Sequence, residues 1–134
     1  MNTKPAETKI PDNIMIRTLK NGLTVIVEPM PDFESVALEL HIPGGITHDD
    51  ERHLGACLLL AELSTRGVDG LSSEELSNEF DARGIRHSEA AGHDRFVYRA
   101  SLLSEHLGTA MDLVSRMVLN PTLPEDEVDR KSVV

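Results

Sequence analysis

The side chains of this sequence that could do chemistry are six histidines, one cysteine and a surplus of carboxylates. Glu62 poses the sharpest question, because it lies in "GACLLLAELSTRG", Gly55 to Gly67, a stretch so apolar that a buried helix is expected. A carboxylate is costly to bury without a partner. It could be a metal ligand, or it could pair with Arg66 one helical turn later, in the favourable Glu-to-Arg order. The ion pair is the expected role. His48 and His53 flank the acidic cluster Asp49, Asp50 and Glu51, which could hold a cation. Five residues across a loop-to-helix junction is not, however, a ligand spacing of fixed geometry. His87 and His93 could meet across a hairpin, His41 is on the polar side of a strand, and His106 is in the first turn of a helix. All are expected at the solvated surface, and no metal site is expected. Glu89 and Asp94 could in principle be an acid/base pair, but carboxylates on a strand are expected to face water. Cys57 is the only cysteine, so an internal disulfide and a cysteine-based zinc cluster are excluded, and a buried, inert thiol is expected. No nucleophile elbow, phosphate loop or Ser/His/Asp signature is present, and Gly44-Gly45 reads as a turn.

The elements that must position these groups belong to one domain, since 134 residues suffice for one core but not two. Apolar residues at 40% and charged residues at 27% are those of a globular protein, and aromatics at 3% require an aliphatic core. A net charge of −10 without a basic patch argues against nucleic acid as a partner. The longest strictly apolar run, Ala56–Ala61, is far too short to span a bilayer, so no membrane partner is expected. The start, "MNTKPAETKIPDN", lacks the apolar run of a secretory signal, and a cytoplasmic location is the expectation.

Residues 1–12 read as a polar tail, and residues 13–134 as a partial α+β domain. "IMIRTLKNGLTVIVEP" places two β-rich runs around Asn21-Gly22, the dipeptide favoured in type I′ hairpin turns. "SVALELHIP" alternates, with Val36, Leu38, Leu40 and Ile42 on one face. A helix is expected from about Arg52 to Thr65. A second opens with Ser72 as N-cap, Glu75 as capping-box partner and Leu71 and Leu76 as staple, and ends before Gly84. "IRHSEAAGHDRFVYRASL" reads as two strands around Gly92. Ser104 is expected to cap a helix with Leu107, Ala110, Met111, Val114, Met117 and Val118 at helical spacing, stopped by Asn120-Pro121. Pro124 and the acids after it begin a last helix, inside which the chain ends. The order predicts an α+β fold: an antiparallel or mixed sheet with helices packed on one side.

This order resembles the N-terminal domain of the pitrilysin/insulinase family of zinc metallopeptidases, with the mitochondrial processing peptidase group. "LKNGLTVIVEP" resembles its opening hairpin, and "DGLSSEELSNEFDARGI" the helix after its active-site helix. "GIRHSEAAGHDRFVY" has the length of its Gly-Gly-x-x-Asn-Ala-x-Thr-x-x-Asp-x-Thr-x-Tyr pattern. Gly84, Asp94 and Tyr98 match, while Ser88, Glu89, Ala91 and Phe96 replace Asn, Ala and the two Thr. "NPTLPEDEVDRKSVV" resembles the segment leading to the family's third zinc ligand. The family's active helix carries H-x-x-E-H: two imidazoles a turn apart hold Zn²⁺, and the carboxylate activates the metal-bound water. Counting back from Gly67, those positions fall on Leu58, Ala61 and Glu62. Leu58 cannot ligate, Ala61 cannot accept a proton, and Glu62 alone is a single ligand.

The resemblance therefore implies a non-catalytic domain that forms part of a peptide-enclosing chamber. Zinc is expected only in a catalytic partner half or subunit. The family binds extended peptide on the edge strand matching Ser88, Glu89, Ala90 and Ala91, and that capacity could outlive the metal site. Two alternatives stand beside it: part of an active zinc-dependent metalloendopeptidase whose ligands lie outside this chain, and a purely structural scaffold subunit. Self-association through apolar surface around Val128, Val133 and Val134 is a further expectation.

Overall fold

The computed structural model describes residues 11–125, which belong to two compact units, Met1–Phe33 and Glu34–Val134. The first unit is a hairpin of β1 (Met15–Thr18) and β2 (Thr24–Val27), antiparallel with Thr18 opposite Thr24. Its turn is not the type I′ turn expected from Asn21-Gly22. Gly22 N–H donates to the Leu19 carbonyl at 3.0 Å, and Leu19 N–H to the Leu23 carbonyl at 2.8 Å. Gly22 has φ of +87°, whereas Asn21 is not among the positive-φ residues. The loop is thus three residues closed by a glycine bulge. A type I′ turn needs two residues at positive φ; the bulge needs only the one without a Cβ.

The second unit runs β3 (Ser35–Pro43), α1 (Ala56–Leu63), β4 (Gly67–Val68), β5 (Leu71–Ser72), α2 (Ser73–Asp81), β6 (Arg86–Ala91), β7 (Arg95–Leu103) and α3 (Leu107–Leu119). β3, β7 and β6 form an antiparallel sheet in the order β3-β7-β6, and β4 pairs with β5. Register puts Val36, Leu38, Leu40 and Ile42 opposite Leu102, Ala100, Tyr98 and Phe96, all on one face. That face meets Leu76 and Phe80 of α2 and Ala110, Leu113, Val114 and Met117 of α3 in one core. The helices pack on one side of the sheet, as the α+β expectation has it. The other face carries Glu39, His41 and Arg99, with Arg99 Nε donating to Glu39 at 2.7 Å.

α2 follows its sequence signals closely. The Ser72 hydroxyl accepts the Glu75 N–H at 3.3 Å, and Glu75 returns a carboxylate to the Ser72 N–H at 2.8 Å. Gly84, at φ +61°, turns the chain so that Ile85 N–H bonds the Phe80 carbonyl at 3.0 Å and Ile85 enters the core. α3 departs in two ways. Ser104 opens a 3-10 turn, Ser104–His106, and the N-cap position of α3 is His106, without a side-chain capping bond. Ser104 N–H donates to the Glu34 carbonyl at 2.7 Å, prolonging the strand pairing. The buried stripe holds Leu113, 2% exposed, and not Met111, 52% exposed. α3 stops at Leu119, and Pro121 then bridges to Val68. The polar tail up to residue 10, the last helix beyond Glu125, and Val128, Val133 and Val134 lie outside the described residues.

Candidate functional site

α1 occupies the place where the sequence concentrates its candidate chemistry, and it is shorter than the expected Arg52–Thr65. It starts where a remote side chain can satisfy its first amides. Gly55, the N-cap at φ +91°, has no side chain to offer, so Asp49 reaches in from the preceding loop. One carboxylate oxygen accepts Gly55 N–H at 2.7 Å and the other Cys57 N–H at 3.0 Å. These bonds and the neighbouring thiol, the thiol foremost, hold the Asp49 carboxyl below its ordinary pKa. The same carboxylate, ahead of burial, pushes the Cys57 thiol up. Cys57 donates to the Gly45 carbonyl at 3.2 Å. A thiol held protonated and hydrogen-bonded is a poor nucleophile.

At the other end Ser64 is buried, 1% exposed, and its hydroxyl donates to the Ala61 carbonyl at 2.7 Å. The Tyr98 hydroxyl donates to Ser64 Oγ at 3.2 Å, fastening the end of α1 to the middle of the sheet. Burial raises the Tyr98 pKa and keeps the phenol neutral. Sequence reasoning missed this tie. Its one visible signal was Tyr98 at a matching position of the strand pattern.

The expectation that this apolar helix is wholly buried is wrong. Ala61 and Leu63 are 4% exposed, but Leu58 is 52% and Leu60 41% exposed. A helix apolar on every side can turn only one side to a core. Glu62 does pair with Arg66, at 3.2 Å, with side chains 42% and 33% exposed. The three positions Leu58, Ala61 and Glu62 thus offer one carboxylate, already engaged by a guanidinium, and no imidazole. They do not fit a zinc ion held in the family manner.

β6 is an edge of its sheet: β7 pairs one side, and no described strand pairs the other. Ser88 and Ala90 are exposed, whereas Glu89 and Ala91 are half-buried on the face that also carries His87. The expectation that Glu89 faces water is therefore corrected. Strand parity turns it inward opposite Tyr98, its side chain only 20% exposed and 3.6 Å from His87 Nδ1. The His87 ring packs on Phe80 with centroids 4.1 Å apart. Its cross-strand partner is Ala100, not His93, so the proposed histidine pair does not form. Asp94 is exposed and chelated by Arg95 at 2.9 and 2.7 Å, which lowers its pKa to about 2. Held as an ionised carboxylate away from Glu89, it makes no acid/base pair with it. Of the acidic cluster beside His48 and His53, Asp49 caps α1 and Asp50 binds Arg52. Among the described residues no group of three or more His, Cys, Asp or Glu could hold a metal ion. Nor is any described helix long and apolar enough to cross a membrane.

Residues 24–134 match the profile of a family described as Insulinase (Peptidase family M16). The chain is similar to an uncharacterized zinc protease of Rickettsia felis, 28% identical over 120 residues, covering 90% of this chain and 29% of the relative. It is 25% identical to the mitochondrial-processing peptidase subunit beta of Lentinula edodes, over 87% of this chain and 25% of that protein. The subunit alpha of Neurospora crassa is 24% identical over 96% of this chain and 22% of its own length. The chain thus spans under a third of these relatives. Among solved structures, a peptidase M16 inactive domain from Pseudomonas fluorescens superposes with a TM-score of 0.81 at 23% identity, over 88% of this chain and 29% of that one. The periplasmic protease PqqL from Escherichia coli gives 0.83 at 21%, over 94% and 15%. At these identities the structures speak to the fold alone.

Proposed function

The chain belongs to the insulinase family, peptidase family M16, and from that premise we propose that it is a non-catalytic member of it. It forms part of a peptide-enclosing chamber, with zinc supplied only by a catalytic partner half or subunit. One observation carries this reading. The helix at the family's metal position presents Leu58 and Ala61, which lack any donor atom, and a Glu62 already paired with Arg66. Relatives named as alpha and beta subunits support a partner of the same family. The "inactive domain" in the name of the Pseudomonas fluorescens structure supports a half without chemistry of its own.

Peptide capture is the activity left to such a domain. β6 offers Ser88, Glu89, Ala90 and Ala91 on an edge whose backbone donors and acceptors can pair an extended chain regardless of its side chains. The exposed Ser88 and Ala90 are small enough to let a second backbone approach. A cytoplasmic location is part of the same reading, although one structural neighbour is named as periplasmic.

Elemental analysis of the purified chain, with peptide hydrolysis assayed with and without chelator, tests the central claim. Absence of zinc and of cleavage by the isolated protein is expected. Stoichiometric zinc with chelator-sensitive cleavage would make it an active metalloendopeptidase instead. Absence of both zinc and any binding of extended peptide would leave a scaffold.

A further inference from the structure

Asn21-Gly22 marks the hairpin turn, yet nothing in the function uses it. It is the only Asn-Gly in the chain: Asn2, Asn13, Asn78 and Asn120 precede Thr, Ile, Glu and Pro. We propose that Asn21 is a self-modification site, whose side-chain amide the folded turn converts to aspartate and isoaspartate through a cyclic imide.

The geometry supplies the parts. Asn21 Oδ1 accepts the Leu23 N–H at 3.2 Å, a bond that spans Gly22. Gly22 carries no side chain to crowd that nitrogen, and the space a Cβ would take is empty within 4 Å. The turn is exposed to water. In the first step the Gly22 nitrogen gives its proton to a solvent base and attacks Asn21 Cγ. Negative charge develops on Oδ1, where the Leu23 N–H already points, the arrangement that stabilises tetrahedral intermediates elsewhere. The Cγ–Nδ2 bond then breaks, and ammonia leaves with a proton taken from water. Water adds to one of the two imide carbonyls and the C–N bond there opens. The carboxylate is left either on Cγ, as aspartate, or on the main chain, as isoaspartate. Nothing is oxidised or reduced, and the only co-reactant is water. The bond from Gly22 N–H to the Leu19 carbonyl, 3.0 Å, must open before each attack. Isoaspartate inserts a methylene into the backbone of the loop and adds a negative charge, so the Thr18–Thr24 pairing must shift or fray.

The test incubates the purified chain, folded and in urea, at neutral and mildly alkaline pH, and maps peptides by mass spectrometry. The expected result is an amide-to-carboxyl mass gain confined to the peptide holding Asn21. It rises with pH and proceeds in the folded chain at least as fast as in urea, and the Asn21→Asp variant shows none. Amide exchange across β1 and β2 should lose protection in step with the isoaspartate fraction. A folded chain that reacts more slowly than the unfolded one, or gains mass at another asparagine first, overturns the proposal. So does a folded chain that gains none.

Discussion

Helices α1 and α2 lie close together in sequence and serve the same sheet, but their sequences promise the reverse of what they deliver. α1 is apolar on nearly every side and looks like core, yet Leu58 and Leu60 face solvent. α2 is mostly polar, yet its two large apolar residues, Leu76 and Phe80, are 2% and 1% exposed. Burial follows the period of the apolar residues, not their number. α2 concentrates them on one face and caps its own start. α1 spreads them and borrows its cap from Asp49. A helix that fills its face is fixed by packing; one with apolar residues to spare leaves some of them at the surface.

The largest test of that contrast is Phe80→Ala against Leu58→Ala. The first removes a ring packed on His87 and the core, and should cost about 3–5 kcal/mol in urea unfolding. The second should stay within about 0.5 kcal/mol, as for other surface substitutions. Equal costs would mean that Leu58 is covered and the two helices are alike after all. Next comes the origin of the caps. Ser72→Ala should cost about 1 kcal/mol by removing the acceptor for the Glu75 N–H. Asp49→Ala should lower the melting temperature as well, and should expose the amides of Gly55 and Cys57 to hydrogen exchange, with α2 left protected. Protection lost in α2 instead would show that the two caps are not independent.

A subtler effect is a pH dependence. The Glu75 carboxyl is held below its usual range, first by the Ser72 backbone N–H and then by its hydroxyl. A depressed folded pKa contributes stability above the unfolded value and loses it as pH falls through the folded one. The melting-temperature gap between wild type and Glu75→Gln should therefore be full at neutral pH and close as pH drops below about 4. A gap that persists in acid would mean that packing, not charge, holds this cap. The smallest effect belongs to Glu62→Gln, where loss of a half-exposed ion pair should cost about 0.3–0.5 kcal/mol. A much larger loss would give Glu62 a role beyond Arg66.

Much of the fold was legible because its signals are local. The alternation of Val36, Leu38, Leu40 and Ile42 survives as the inward face of β3, and the Ser72–Glu75 box survives atom for atom. Local rules failed where a distant group decided the outcome. Ser104 lies inside a 3-10 turn and not at the cap of α3, and its N–H is bonded to the Glu34 carbonyl, seventy residues earlier in the chain. Leu113, not Met111, is buried because only packing on the sheet fixes which stripe of α3 points inward. Glu89 was placed in water because strand parity cannot be counted until the register with Tyr98 is known.

The sequence by itself determined the α+β order, the hairpin, the caps of α2 and the absence of imidazoles from α1. Those follow from residue type and near-neighbour spacing, which need no third dimension. Only the tertiary structure decided that Leu58 is exposed, that Ser64 and Tyr98 join the end of α1 to the sheet, and that β6 lies on an edge. Each depends on which distant segment arrives beside it, because burial, pairing and hydrogen bonding between remote residues are properties of the packed chain.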